Sequence, residues 1–295
     1  MAGKRKKRGC ASRLLGLLLA LAALAGFYYY ENHTLETTET TLVSARLPEG
    51  FDGFRAVQLS DLHGAGFGAG NRRLLDAVRR AEPEAIFLTG DLLDAVRRAE
   101  PERYAAELGA ALAAIAPTYY VTGNHEWSLG TAAVERLKDA LRQSGVTVLS
   151  NEFVTLSRGG GEIALAGVDD PNGYADQKTP EALADELHRR CGEGFWLLLA
   201  HRNNRFSGGY CRLGADLTLS GHAHGGVWRL PFTDGLIDTS LRLLPSYTSG
   251  LYRCEAGDCG GAQVFVSRGL GNSPRFVPRL LNRPEVAVLT LRCGT

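Results

Sequence analysis

The sequence predicts an α/β fold built on a substantially parallel sheet and preceded by an apolar helix. Three observations predict it. Short apolar runs alternate with amphipathic helical patterns along most of the chain. Five of those runs end in a residue that can bind a metal ion. One uncharged stretch, Leu14 to Tyr30, approaches the thickness of a membrane. With 295 residues and 44% hydrophobic content the chain can bury a large core, and a single α/β domain of about 250 residues is ordinary.

The chain opens on a basic head, residues 1–13, where Lys4, Arg5, Lys6, Lys7, Arg8 and Arg13 supply six positive charges. The formal net charge is +1, so without these six the rest holds 27 basic against 32 acidic residues, a balance of −5. A mildly acidic body argues against nucleic-acid binding by charge. Residues 14–30 form a helix of about 26 Å if regular, and Tyr28, Tyr29 and Tyr30 suit the aromatic belt of a membrane interface. This segment is expected to be a single-pass transmembrane signal-anchor in the cell membrane. The basic head then lies in the cytoplasm and the body outside the cell. A cleavable signal is the rival, because Ala23-Leu24-Ala25 has the small residues of a cleavage site, and cleavage would release a secreted protein.

Residues 31–47, rich in Thr and Glu, read as a juxtamembrane linker leading into a first strand. The main domain spans 48–295. Strands are predicted at Phe54–Leu59, Ala85–Thr89, Thr118–Thr122, Ile163–Val168, Phe195–Ala200 and Leu217–Ser220. Helical patterns fall between them at Arg72–Ala81, Tyr104–Ile115, Ala132–Ser144 and Glu181–Arg190, the last opened by Pro180. The tail holds Gln263–Ser267 and Val286–Leu291 without long helices, which implies a second sheet or an antiparallel addition. Residues Leu75 to Glu84 recur unchanged as Leu93 to Glu102, a local duplication expected to build helical turns. Of six cysteines, Cys254 and Cys259 can close a small loop. No Cys-x-x-Cys pair exists, which speaks against a thiolate zinc site.

The five chemical endings are Asp61-Leu62-His63, Gly90-Asp91, Gly123-Asn124-His125-Glu126, His201 and Gly221-His222-Ala223-His224. Ligands of open α/β sheets gather beyond the carboxyl ends of strands, so the five points can surround one crevice. His222 and His224, two apart in extended backbone, would point to one side and converge. Neutral imidazole is the commonest metal ligand, and five such endings in a chain with seven histidines favour a mixed oxygen and imidazole site for two metals.

In order and spacing these motifs resemble the calcineurin-like metallophosphoesterase superfamily, from about Phe54 to Leu291. Ser267-Arg268-Gly269-Leu270-Gly271 and Arg283-Pro284-Glu285-Val286 are similar to the bacterial membrane-associated branch related to UDP-2,3-diacylglucosamine hydrolases. The resemblance implies two facing mixed β-sheets flanked by helices. It implies one metal held by Asp61, His63, Asp91 and His224, and a second held by Asp91, Asn124, His201 and His222. His125 would protonate the leaving group or steady the phosphoryl charge, and Asp94 would orient it. The cofactors would be two divalent ions, with Mn, Fe, Zn and Co all suited to such donors.

The expected function is therefore a membrane-anchored, metal-dependent phosphoric ester hydrolase. Its substrate would be a phosphorylated small molecule or a lipid-linked envelope compound, attacked by a metal-bridging hydroxide. A nucleotidase or phosphodiesterase acting on nucleotides, and an inactive metal-binding scaffold, are the alternatives. Two departures from the family pattern, His201-Arg202-Asn203-Asn204 and Val227-Trp228 after Gly225-Gly226, bear on specificity. Arg202 and Arg205 can grip a second phosphate or a carboxylate, with plain solvated charges as the equal alternative. The apolar stretch Val227 to Leu244 reads as a connection packed between sheets, with a membrane-touching lip as the other reading.

Overall fold

In this computed structural model, residues 2–94, 100–230, 233–238, 242–254, 259, 261–272 and 277–294 are described. The chain order is α1 (Ala2–His33), β1 (Glu36–Ser44), β2 (Arg55–Leu59), α2 (Arg72–Arg80), β3 (Ala85–Thr89), α3 (Pro101–Ala113), β4 (Thr118–Val121), α4 (Asn124–Ser128) and α5 (Thr131–Gln143). Then come β5 (Thr147–Val148), β6 (Glu152–Arg158), β7 (Gly161–Val168), α6 (Pro180–Cys191), β8 (Trp196–Arg202) and β9 (Leu217–Gly221). The chain finishes with β10 (Trp228–Arg229), β11 (Gly235–Ile237), β12 (Gly250–Arg253), β13 (Gln263–Val266) and β14 (Glu285–Cys293).

Two six-stranded mixed sheets result, ordered β1-β14-β2-β3-β4-β5 and β12-β13-β9-β8-β7-β6. The period of two within each strand divides its side chains between two cores. Phe87 of β3 and Leu199 of β8 point into the space between the sheets, with Leu219 and Phe265. Ile86 and Leu88 point the other way, against Leu74, Val78, Leu112 and Leu141 of the helices covering the first sheet. Trp196 and Leu198 meet Leu183 and Leu187 of α6 on the far side of the second. Three buried clusters therefore separate four layers: helices, sheet, sheet, helix. The two tail strands part company, β13 joining the second sheet parallel to β9 and β14 joining the first antiparallel to β2.

Residues 31–47, read as a linker and first strand, are mostly structured. Two residues separate the end of α1 from β1, which pairs with β14 in parallel from Glu36↔Glu285 to Ser44↔Cys293. The apolar part of α1 stands off the body, with its leucines and aromatics from Leu14 to Tyr30 between 41% and 63% exposed. Among the helix residues whose burial is described, Glu31 and Asn32 in the last turn are the buried ones. It is one helix long and apolar enough to cross a membrane.

The duplicated segment does not fold the same way twice. The first copy lies in α2 and stops before Pro83, whereas Pro101 of the second sits in the first turn of α3, where a missing N–H costs nothing. Residues 95–99 of the second copy lie outside the described residues. The stretch Val227–Leu244 is not simply a packed connection. It carries the β10–β11 hairpin, a separate two-stranded sheet, and exposes Leu230, Leu243 and Leu244.

Candidate metal centre

The strands that run in parallel deliver their carboxyl ends to one place, and cross-sheet hydrogen bonds hold the two sheets in register there. Gln58 Nε2 of β2 donates to Thr89 Oγ1 at 2.9 Å and across the gap to Ser220 O at 2.9 Å. The loop after β2 then follows the loop after β3 through Asp61 N to Gly90 O (3.0 Å), His63 N to Asp91 O (2.9 Å) and Gly64 N to Leu92 O (2.9 Å). Space is tight. At Gly90, with φ +87°, a Cβ would come within 2.6 Å of Gly123 N and 2.8 Å of His201 Nδ1, and at Gly221 it would collide with Ser60 Oγ and Asp61 Oδ2.

All seven residues predicted to bind metal are brought together in two adjoining groups. In the first, His63 Nε2 and His224 Nε2 face each other at 3.0 Å. Asp61 Oδ1 lies 3.4 Å from His224 Nε2, and Asp91 Oδ2 lies 3.7 Å from His63 Nε2. In the second, His201 Nε2 is 3.2 Å from Asp91 Oδ2 and 3.2 Å from Asn124 Oδ1. His222 shares that group, within 4.8 Å of Asp91 and His201. Asp91 thus stands between the two. Buried imidazole nitrogens and carboxylate oxygens turned toward common points are a donor set that fits divalent cations.

The reason the histidines diverge is local. His222 and His224 are not in extended backbone, because β9 ends at Gly221 and both residues take left-handed φ values, 68° and 49°. The spacing argument for convergence on one point therefore fails, and the pair splits between the two groups. Asp61, His63 and Asp91 share the left-handed conformation, at 52°, 47° and 51°. Five such residues in one site mark a backbone shaped for function rather than for ease.

Hydrogen bonds aim the donors. His125 N donates to Asp91 Oδ1 at 2.8 Å, and His222 N donates to Asp61 at 3.0–3.1 Å. The Nδ1 atoms of His201 and His224 meet the carbonyls of Thr89 (2.8 Å) and Gly271 (3.2 Å), so each ring directs Nε2 inward. Burial drives the pKa of His222 down to about 3, with the positive charges of His201 and Arg202 adding to it. Burial likewise takes His224 to about 3 against the pull of Asp61, so both are neutral. Burial also pulls on His201, but the Asp91 carboxylate outweighs it and lifts the pKa to about 10. Desolvation would raise Asp91, yet His201, His63 and His125 hold it well below the usual carboxylate range.

His125 is half-buried, its ring 4.5 Å from that of His63 and edge-on to it, and Asp94 is half-buried in the loop after β3. Arg202 does grip a carboxylate, but the chain's own. Its Nε and Nη2 fork onto Asp170 at 2.7 and 3.1 Å, while Arg205 is exposed. Beside His222 opens a cleft of about 700 Å³, lined among others by Arg202, Arg242, Leu243, Leu244 and Tyr247.

Several contributors escaped the sequence. Glu126, fully buried, accepts from the N–H groups of Asp91 (2.9 Å), Leu93 (3.1 Å) and Gly123 (2.8 Å). Burial and the Asp91 charge raise its pKa to about 7 against those N–H groups. Its bond to Gly123 N is the half of a capping box that a glycine N-cap, without a side chain, still permits, so the S/T-x-x-E signature is absent from the sequence. The end of α1 is another. Asn32 Oδ1 accepts from Arg279 N at 2.7 Å, and Arg279 Nη2 donates to Gly271 O, the partner of His224, at 2.6 Å. Asn282 N donates to Glu31 Oε2 at 3.0 Å while Asn282 Nδ2 donates to His224 O at 2.8 Å. Two short routes thus join the helix end to one predicted ligand.

Comparison with known proteins bears on this geometry. Residues 54–226 match the model of the calcineurin-like phosphoesterase family. The chain is 32% identical to the uncharacterized metallophosphoesterase YkuE of Bacillus subtilis (strain 168), covering 98% of each chain. It is 30% identical to the phosphodiesterase YaeI of Escherichia coli (strain K12), covering 92% of this chain and 94% of that one. It is 29% identical to a transmembrane protein with metallophosphoesterase domain from Danio rerio, over 84% of this chain and 55% of the other.

Proposed function

The chain belongs to the calcineurin-like phosphoesterase family and is a metal-dependent phosphoester hydrolase, and from that premise we propose a membrane-anchored enzyme with a dinuclear centre. Its substrate is a phosphate ester or pyrophosphate of a lipid-linked envelope compound. Asp61, His63, Asp91 and His224 would hold one cation, and Asp91, Asn124, His201 and His222 the other. Divalent cations bound there supply Lewis acidity, which acidifies water and neutralises phosphoryl oxygens.

The chain's own residues do the rest. Backbone N–H groups of His125 and His222 keep Asp91 and Asp61 turned inward, and Thr89 O and Gly271 O fix the rings of His201 and His224. His125 gives a proton to the departing oxygen, and Asp94 keeps its ring in place. Arg202, clamped by Asp170, lends a fixed cationic wall to the cleft.

One observation carries the lipid-linked reading. The last turn of α1 is hydrogen-bonded into the loops of the site, and exposed Leu243 and Leu244, 71% and 72% accessible, line the adjoining cleft. An anchor fixed there keeps the cleft and the bilayer on one side of the molecule. YaeI is a phosphodiesterase and the Danio rerio relative a transmembrane protein, which supports both halves of the reading.

The test uses the full chain in lipid nanodiscs, loaded with Mn²⁺ and offered aryl phosphates, diesters, nucleotides and lipid-linked pyrophosphates. The lipid-linked ester should be preferred about tenfold or more in kcat/KM, the factor that 1.4 kcal/mol of added contact supplies. His125→Asn should lower kcat by about 10²–10⁴-fold with metal content unchanged. A preference for nucleotides would replace the substrate reading, and no turnover of any ester with metal bound would leave a scaffold.

A further inference from the structure

Away from the cleft, on the α6 side of the second sheet, three cysteines from two distant segments meet. Cys211 sits in the single 3-10 turn Tyr210–Arg212, and Cys254 and Cys259 flank the connection between β12 and β13. Their Sγ atoms all lie within 4.8 Å of one another. All three are buried, at most 6% exposed. Cys254 and Cys259 are both tied to Ala262, with Cys254 N donating to Ala262 O at 2.8 Å and Ala262 N donating to Cys259 O at 2.9 Å. None of the three belongs to the hydrolytic site.

We propose that Cys211, Cys254 and Cys259 form a second metal site, a thiolate site for zinc or another soft divalent cation. Around a tetrahedral zinc with bonds of about 2.3 Å, neighbouring sulfurs stand about 3.8 Å apart, a spacing that falls within the 4.8 Å enclosing the three Sγ atoms. Three thiolates occupy three corners and leave the fourth to a water molecule. Packing alone does not ask for this arrangement, since any small apolar side chains would fill the same space among Phe206, Tyr210 and Val264. What cysteines add is the capacity to lose protons. Three bare thiolates in that apolar cluster would be strongly unfavourable, and a cation between them removes the penalty. Sulfur donors also separate this site from the oxygen and imidazole site by metal preference, so the two need not compete for one ion. The bound ion would fasten the β12–β13 hairpin to the turn that follows cleft residues Arg202 and Asn203. The absence of a Cys-x-x-Cys pair, which speaks against such a site in the sequence, is no obstacle when the third sulfur comes from forty residues away.

Cobalt substitution reads the site directly. The full chain, purified in mild detergent under anaerobic reducing conditions and loaded with Co²⁺, should show sulfur-to-cobalt charge-transfer absorption in the near ultraviolet, which oxygen and imidazole donors do not give. Cys254→Ser and Cys211→Ser should each abolish that band and leave the absorption of the hydrolytic site in place. As a second readout on the unaltered chain, zinc should protect all three cysteines from iodoacetamide relative to chelator-treated protein, as mapped by mass spectrometry. No band together with zinc-independent alkylation would overturn the proposal, and so would a disulfide joining any two of the three.

Discussion

Three backbone N–H groups, on Asp91, Leu93 and Gly123, converge on the carboxylate of Glu126 and tie the loop after β3 to the loop after β4. Both oxygens are used. Glu126→Gln puts an amide donor where an acceptor is needed, leaving at least one buried N–H without a partner, which costs about 1–3 kcal/mol. Urea unfolding of the metal-free protein should show that loss, and Mn²⁺ affinity should fall with it; unchanged values for both would mean that Glu126 is a bystander. The residue types of the site were readable in the sequence because each closes a short apolar run. The role of Glu126 was not, because two of its three donors come from residues 91 and 93, more than thirty positions away. The histidine pair fails for another reason: a left-handed φ at residues 222 and 224 turns an alternation rule into its opposite.

Among the elements, α5 reaches the site through one buried cation. Lys138 Nζ meets Asp169 Oδ2 at 2.9 Å and Ser150 Oγ at 2.7 Å, and lies 5.0 Å over the Trp127 ring. Asp169 Oδ1 accepts from Thr122 Oγ1 at 2.6 Å, and Thr122 accepts from Trp127 Nε1 at 2.9 Å. The ends of β4 and β7 and both helices after β4 therefore depend on one ion pair. Lys138→Ala leaves Asp169 buried and uncompensated and should destabilise the fold by about 3–5 kcal/mol in urea unfolding, whereas pairing Lys138→Met with Asp169→Leu should recover much of it. A loss under 1 kcal/mol for the single change would show the pair to be redundant. Strands buried on both faces are easy to recognise as apolar runs. β1 is not, since Glu36-Thr-Thr-Glu-Thr-Thr is an edge strand with half-buried polar residues on one face and solvent on the other, and it looks like a linker. The duplicated decapeptide makes the same point, because the position of its proline relative to its neighbours decides whether a helix ends or begins.

For the whole molecule, the boundary between the exposed apolar helix and the packed body runs inside α1 rather than after it. Glu31 and Asn32 hydrogen-bond to Asn282 and Arg279 behind His224, and Glu36 of β1 pairs with Arg268 at 2.8 Å and Arg283 at 3.1 Å. A fragment starting at Gly26 should keep the metal content of the full chain. One starting at Leu42 should lose it and aggregate through the uncovered edge of β14. Metal analysis and size-exclusion chromatography decide, and a monomeric, metal-replete fragment from Leu42 would refute the coupling. The α/β class was readable from the alternation of strand and helix, and the two facing sheets from the family resemblance. The contacts of the helix end were not, because the composition of an apolar helix reports only its affinity for lipid. In the anchored form proposed above, an enzyme tied to the bilayer through a helix end bonded to Arg279 and Asn282 samples a plane rather than a volume. For the lipid-linked substrate proposed above, the working concentration is then an areal density, diluted by every inert lipid added to the leaflet and unaffected by the amount of water around it.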